Sequence, residues 1–410
     1  MTKISRNSSI ELARIFAMLL IIASHFLQQG RIITSVVPED RFTLLCLSNG
    51  GRIAVNLFVL ISCYFMVDKK PIIGTKWVRT YVQLFFYSAT ITTILLGLGL
   101  LEGRASGFEI IRCYLPLLGR PLWFVSAYLI LLIAMPFLYE AEEKISKSTM
   151  RGFLLCLLAF LWINFSVGAI TDKFNMNFML DTLWFFVLYL GVAHIKHTTT
   201  WFRNANRWIW LIIGISLYFV LNIAHYSLYN YNIPPSISGL LNKLTSFCLG
   251  DIKSPINILI AFSLFTFFVR TEIKSNSIIN MLAAPTLAIY IIHQHPLFYN
   301  FLWFEILDVN AWRGGPNTLL YSILLTFILY LALSIIEFIR RFLIDSWLLN
   351  TKPFTTVSNL IDKILERCGC EFILIADTDC RLSVEALEQR IHPCYNSTIF
   401  IWLLKKASNH

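Results

Sequence analysis

Ten apolar runs, each long enough to cross about 30 Å of hydrocarbon, decide what this chain can fold into. They fall at approximately 9–29, 47–67, 80–101, 121–139, 151–170, 180–196, 208–228, 254–270, 281–304 and 318–343. Hydrocarbon offers a backbone no hydrogen-bond partner, so runs of this length without a barrel's alternating pattern satisfy their own amides as helices. The expected fold is all-α, a polytopic integral membrane protein of about ten transmembrane helices. Composition agrees, since only 14% of the 410 residues are charged, against about 25% in soluble domains.

The net charge of +10 sits in short loops between the runs. Lys3 and Arg6, then Lys69, Lys70, Lys76 and Arg79, then Lys196, Arg203 and Arg207, then Arg270 and Lys274, and finally Arg340 and Arg341 share one side if the runs alternate. The positive-inside rule makes that side, and both termini, cytoplasmic. Charge placed this way argues against a nucleic-acid partner and for membrane lipids around a multi-pass protein of an inner or plasma membrane. Nine cysteines are scattered without paired spacing and imply no disulfide framework. The first run ends in QQGR rather than a small-residue cleavage site, so it is expected to remain as the first span.

That first span carries ionisable groups, which cost about 2.5 to 3.5 kcal/mol each at a helix centre and normally face a polar interior. From Ile15 to Ala23 nothing is charged, with Arg14 just inside one end and His25 near the other. Eleven residues are three turns plus roughly 20°, so the two share a face, about 16 Å apart along the axis. Glu11, one turn before Arg14, pairs with it on that face. Elsewhere, Arg52 and Asn56 put polar groups on successive turns of the second span, either as a functional face or as an interfacial arginine and a packing amide. Tyr290 and His293 lie one turn apart in the ninth.

Arg14, ten residues and His25 in a first span behind a short basic N-terminus resemble the signature of the membrane-bound acyltransferase family 3, the O-acyltransferases of cell-surface glycans. Further stretches are similar to that family. The second span, NGGRIAVNLFVLISC, resembles its glycine-rich entry, "GV-acid-FF" core and terminal Ser-Gly through Gly51, Val55, Asn56, Leu57, Phe58 and Ser62, with Asn56 where an acid is common and Cys63 where glycine is. The fourth matches at Leu122, Trp123, Phe124, Tyr128 and Pro136. The sixth matches at Tyr189, Leu190 and Gly191, and the ninth at Thr286, Tyr290 and His293. The resemblance covers residues 6 to about 345, so 1–345 is expected as an acyltransferase-like transmembrane domain and 346–410 as a cytoplasmic tail of uncertain structure.

What the resemblance implies is transfer of an acyl group, most often acetyl, from acyl-coenzyme A to a hydroxyl of a cell-surface or lipid-linked glycan. His25 then suits the general base, being mostly neutral at pH 7. Arg14 suits charge stabilisation or the coenzyme A phosphates, and Lys69, Lys70 and Arg79 suit those phosphates too, although topology and contact with anionic lipid are the more ordinary explanation of such a patch. Arg52, Asn56, Ser62, Trp123, Tyr290 and His293 are supporting or substrate-binding candidates. No metal is required, and His194 and His197 read as interfacial. A transporter or flippase with Arg14, His25, Arg52 and His293 along a path is the competing reading, and a scaffold stitched by polar groups is a third.

Two other stretches stand apart. YNYNIPPSISGLLNKLTSFCLGDIKSP, between the seventh and eighth spans, is expected as an external flap or re-entrant piece. Residues 353–367 read as an amphipathic cytoplasmic helix. Cys368, Cys370, Cys380, His392 and Cys394 beyond it fit no strong zinc spacing. Asp377 and Asp379 have the look of a glycosyltransferase Asp-x-Asp edge, with too little chain left to fold such a domain.

Overall fold

The computed structural model describes residues 7–34, 38–68, 72–117, 122–171, 177–230, 234–311, 317–345, 348 and 351–377. Every regular element among them is helical. In order they are α1 (Ser8–Gln29), α2 (Pro38–Tyr64), α3 (Gly74–Gly97), α4 (Gly107–Tyr114), α5 (Trp123–Lys144), α6 (Lys147–Thr171), α7 (Asn177–Thr198) and α8 (Thr200–Arg203). Then follow α9 (Arg207–Asn230), α10 (Pro235–Leu249), α11 (Pro255–Val269), α12 (Ser277–Ala283), α13 (Thr286–His293), α14 (Pro296–Asn300), α15 (Thr318–Arg340) and α16 (Lys352–Asp377). Among the described residues six helices, in α1, α2, α3, α5, α9 and α15, are long and apolar enough to cross a membrane, or seven if one bent pair is counted as a single span. Three further expected spans coincide with α6, α7 and the 15-residue α11.

Helix α15 is inside-out relative to a helix of a soluble bundle. On α15, Ser322, Thr326, Ser334 and Glu337 are buried while Phe327, Ile328, Ile335 and Ile336 are exposed. The polar residues recur at the helical period and face the protein, and the apolar ones face outward, as lipid requires. The protein is therefore membrane-embedded and multi-pass.

Helix α1 is central, packed against α2, α11, α12, α13 and α15. Its start is fastened by Asn7, whose side chain accepts from Ser9 N at 3.0 Å and donates to Thr271 O at 3.1 Å, a capping arrangement that satisfies an otherwise orphaned amide. Halfway along, α2 closes onto α1 at Gly51, where a Cβ would sit 2.4 Å from Ser24 Oγ. Only glycine permits that approach. Gly50 and Gly51 thus serve close contact from inside a continuous helix, because α2 begins upstream at Pro38.

The ninth expected span is broken. Ser277–His293 and Pro296–Ile306 meet at 81°. Pro296 lacks an amide hydrogen and drives the preceding residue to extended geometry. His295 accordingly sits at φ −60°, ψ 124°, and its Nδ1 accepts from Phe298 N at 3.3 Å to cap the second piece. The stretch between the seventh and eighth spans holds α10, packed against α6, α9 and α11. Helix α16 runs further than the amphipathic pattern suggested, to Asp377, and packs on α3 and α5.

Candidate active site

The face of α1 that carries Arg14 and His25 borders two cavities. The larger, about 860 Å³, is lined at the Arg14 end by Glu11, Arg14, Ser62, Lys76, Arg79, Gln83, Tyr128 and Arg341, among others. Four cations against one carboxylate give this vestibule a positive lining, which suits anions. Arg14 Nη1 bonds both oxygens of Glu11 at 3.0 and 3.1 Å and lies over the Phe65 ring. Arg341 is held by Glu337, at 2.6 Å, and Arg79 makes no ion pair with any described residue. Lys69 and Lys70, also assigned to this patch by sequence, lie outside the described residues, as do residues 378–410.

The second cavity, about 300 Å³, is lined by Ile21, Ser24, His25, Gln28, Gly51, Arg52, Val55, Trp123, Asp181, Gly250, Asp251, Ile252 and Tyr290. Between the two lies an apolar neck of about 10 Å³, walled by Met18, Ile21, Val55, Phe58, Phe124, Leu287 and Tyr290. Phe58, Phe124 and Leu287 also line the vestibule, and Ile21, Val55 and Tyr290 also line the His25 chamber. The three spaces follow one another along α1 with shared walls, polar at both ends and apolar at the waist. Arg14 and His25 face different ends of the series.

His25 does not stand alone. Its Nδ1 is 3.0 Å from Nε2 of His293, whose own Nδ1 is 2.5 Å from Ile289 O. A carbonyl only accepts, so His293 Nδ1 carries a proton and donates it to Ile289 O. His293 Nε2 is then the bare nitrogen, and it accepts the Nδ1 proton of His25. The chain of bonds assigns both tautomers and leaves His25 Nε2 with a free lone pair. His293 is fully buried, edge-on to Trp303 and Tyr290.

The remaining sequence candidates divide. Arg52, Trp123 and Tyr290 line the His25 chamber, and Ser62 lines the vestibule while donating to Phe58 O at 2.9 Å. Asn56 lines neither. Fully buried, it donates to Ile252 O at 2.7 Å and accepts from Trp184 Nε1 at 2.9 Å, so it fastens the loop that carries Asp251. Asp181 and Asp251, which sequence reasoning passed over, meet Lys253 at 2.5 and 2.9 Å. Lys253 is only 3% exposed at its side chain. Burial alone lowers a lysine's pKa, but the two carboxylates outweigh it and hold this ammonium above its usual range. The signal was an Asp-x-Lys in a polar stretch and an acid opening an apolar run. Glu337, a carboxylate inside the last run, was equally visible as an intramembrane charge. It accepts from Gln83, Tyr87, Arg340 and Arg341 and so braces the vestibule wall.

Comparison with known proteins gives one result. A family model described as an acyltransferase domain matches residues 7–337. No curated protein and no solved structure matches the chain.

Proposed function

The chain belongs to acyltransferase family 3, and from that premise we propose that this membrane acyltransferase moves a short acyl group, acetyl first among them, from acyl-coenzyme A to a glycan hydroxyl. The acceptor is a sugar of a cell-surface or lipid-linked glycan, and the protein sits in the inner or plasma membrane with Arg14 toward the cytoplasm. One observation supports this reading above the rest: a cationic vestibule joined through a dry neck to a chamber whose histidine presents a bare nitrogen.

The donor's phosphates meet Arg14, Lys76, Arg79 and Arg341, because guanidinium and ammonium groups bind phosphate oxygens strongly. Its extended arm follows α1 through the neck, about 16 Å from Arg14 to His25 at 1.5 Å per residue. Apolar walls there exclude the water that would hydrolyse the thioester. In the chamber the acceptor hydroxyl attacks the thioester carbonyl carbon. A C–O bond forms, the carbonyl π pair moves onto oxygen, and the hydroxyl proton passes to His25 Nε2. Collapse of the intermediate breaks the C–S bond, and the leaving sulfur takes the proton from His25. Ester and free coenzyme A thiol are the products. General-base catalysis of this kind contributes typically 10² to 10⁴ in rate.

The test is glycan O-acylation in cells lacking the chromosomal copy, complemented with wild type, His25→Ala or Arg14→Ala at matched membrane levels. Restoration of alkali-labile ester by wild type and not by His25→Ala supports the reading. Unacylated glycan with wild type, accompanied by a changed surface amount, gives the protein to the transporter class instead.

A further inference from the structure

Acyl transfer creates a negative charge as well as moving a proton, and Arg14 is too far along the helix to meet a charge that forms beside His25. A second cation is nearer. Arg52 of α2 lines the His25 chamber, brought there by the close approach of Gly51 to Ser24. Its guanidinium makes no hydrogen bond and no ion pair with any described residue, while it shares the chamber with His25 and Asp251. This sets it apart from the paired interior cations: Arg14 holds Glu11, Lys253 holds Asp181 and Asp251, and Arg340 holds Glu337 and Asp345. Lys253, the other cation near the chamber, has its ammonium occupied by two carboxylates.

An arginine half-buried inside a membrane domain without a bonded partner is costly to keep. It is the arrangement expected of a group whose partner exists only during the reaction, because donors fixed in advance at the place where charge develops need no reorganisation. We propose that Arg52 is a catalytic residue, stabilising the oxyanion of the tetrahedral intermediate formed at His25. This deepens the acyl-transfer reading and rests on it. An anionic acceptor group is the other partner a free guanidinium would suit. Asp181 and Asp251 line the same chamber and would repel a permanent negative charge there, whereas the oxyanion is transient and forms next to the base.

The experiment is incorporation of radiolabelled acetyl-coenzyme A into alkali-labile ester by host membranes containing the full-length protein. Wild type, Arg52→Gln, Arg52→Lys and His25→Ala are compared at matched amounts, each confirmed monodisperse in detergent. Arg52→Gln is expected to lower the rate at saturating acetyl-coenzyme A by about 10² to 10³, the range for loss of an oxyanion donor, with the donor KM within threefold of wild type. Arg52→Lys keeps the charge without the planar fork and should fall between. A rate for Arg52→Gln within fivefold of wild type, or a loss confined to KM, overturns the proposal, and a full-rate Arg52→Lys with an inactive, aggregated Arg52→Gln does so too. If wild type incorporates no label, or His25→Ala matches it, the acyltransferase reading fails first and this inference falls with it. Activity that depends on His25 but not on Arg52 removes this inference alone.

Discussion

Replacing His293 tests whether the histidine pair works as a unit. His293→Phe keeps the buried ring against Trp303 and Tyr290 but removes the nitrogen that accepts from His25 Nδ1 at 3.0 Å. The buried Nδ1 donor is left without its acceptor, at about 1–3 kcal/mol. That penalty falls on the tautomer that protonates Nδ1 and leaves Nε2 bare, which is the one the proposed reaction uses. A bias of about 1.4 to 2.7 kcal/mol against it corresponds to a 10- to 100-fold fall in kcat. The donor site is remote, so the KM for acetyl-coenzyme A should stay within threefold. His293→Gln supplies an amide oxygen where Nε2 stood and an amide hydrogen on the same side chain, and should recover part of the loss. The assay is initial-rate incorporation of labelled acetyl groups by membranes, with protein quantified by detergent size exclusion. A His293→Phe rate within threefold of wild type, or equal rates for the Phe and Gln variants, refutes the relay.

Helix α16 predicts an effect at the donor end. Asp362 accepts from Ile73 N and Gly74 N at 2.9 and 2.7 Å, capping α3, which carries Lys76, Arg79 and Gln83 into the vestibule. A Cβ on Gly74 would lie 2.0 Å from Ser358 O, so Gly74→Ala should expel α16 and raise the donor KM severalfold while His25 chemistry at saturation persists. Protease sensitivity of the C-terminal segment reports the release. Loss of the cap alone, in Asp362→Ala, should cost about 0.5–2 kcal/mol, read as a lowered Tm in a detergent thermal-shift assay. Glu337→Gln removes the buried carboxylate shared by Arg340 and Arg341, leaving Asp345 to Arg340 and no carboxylate among the described residues to Arg341. Breaking a buried ion pair from one side costs about 3–5 kcal/mol, so this variant should lose most of its monodisperse yield. A yield equal to wild type would show that the vestibule wall does not depend on Glu337.

Much of this was legible before any coordinates. Each of the ten apolar runs lands on a helix or on the bent pair, because in lipid an apolar run of span length has few alternatives to a helix. Arg14 and His25 could be placed on one face and 16 Å apart from helix geometry alone. What sequence could not supply were neighbours separated by hundreds of residues. His293 reads as a lone histidine one turn from Tyr290, and only packing of α13 against α1 sets its ring on His25. Asn56 reads either as part of a functional face or as a packing amide, and only the neighbours decide for the second: its amide meets Ile252 and Trp184, because α2 is buried on that side by α7 and α11.

The same physics explains why the polar groups were the ambiguous ones. An apolar side chain in a membrane protein is content with lipid or with protein, so its sequence position constrains little beyond depth. A polar side chain must find a partner or a cavity, and which of the two it finds depends on helices that the local sequence does not specify. Asn49 finds Asn222 at 2.8 Å, Ser24 finds Ser48 O at 2.7 Å, and Lys253 finds two aspartates. Among groups around His25, those with bonded partners are accounted for by the fold itself. Two groups that the described residues leave without a bonded partner, His25 Nε2 and the Arg52 guanidinium, lie in one chamber and in the proposed reaction have complementary tasks, one to take a proton and one to meet a negative charge. Acyl transfer demands both at the same carbon, which is why these two residues, rather than Arg14 and His25, form the pair on which the chemistry of this chain should be tested.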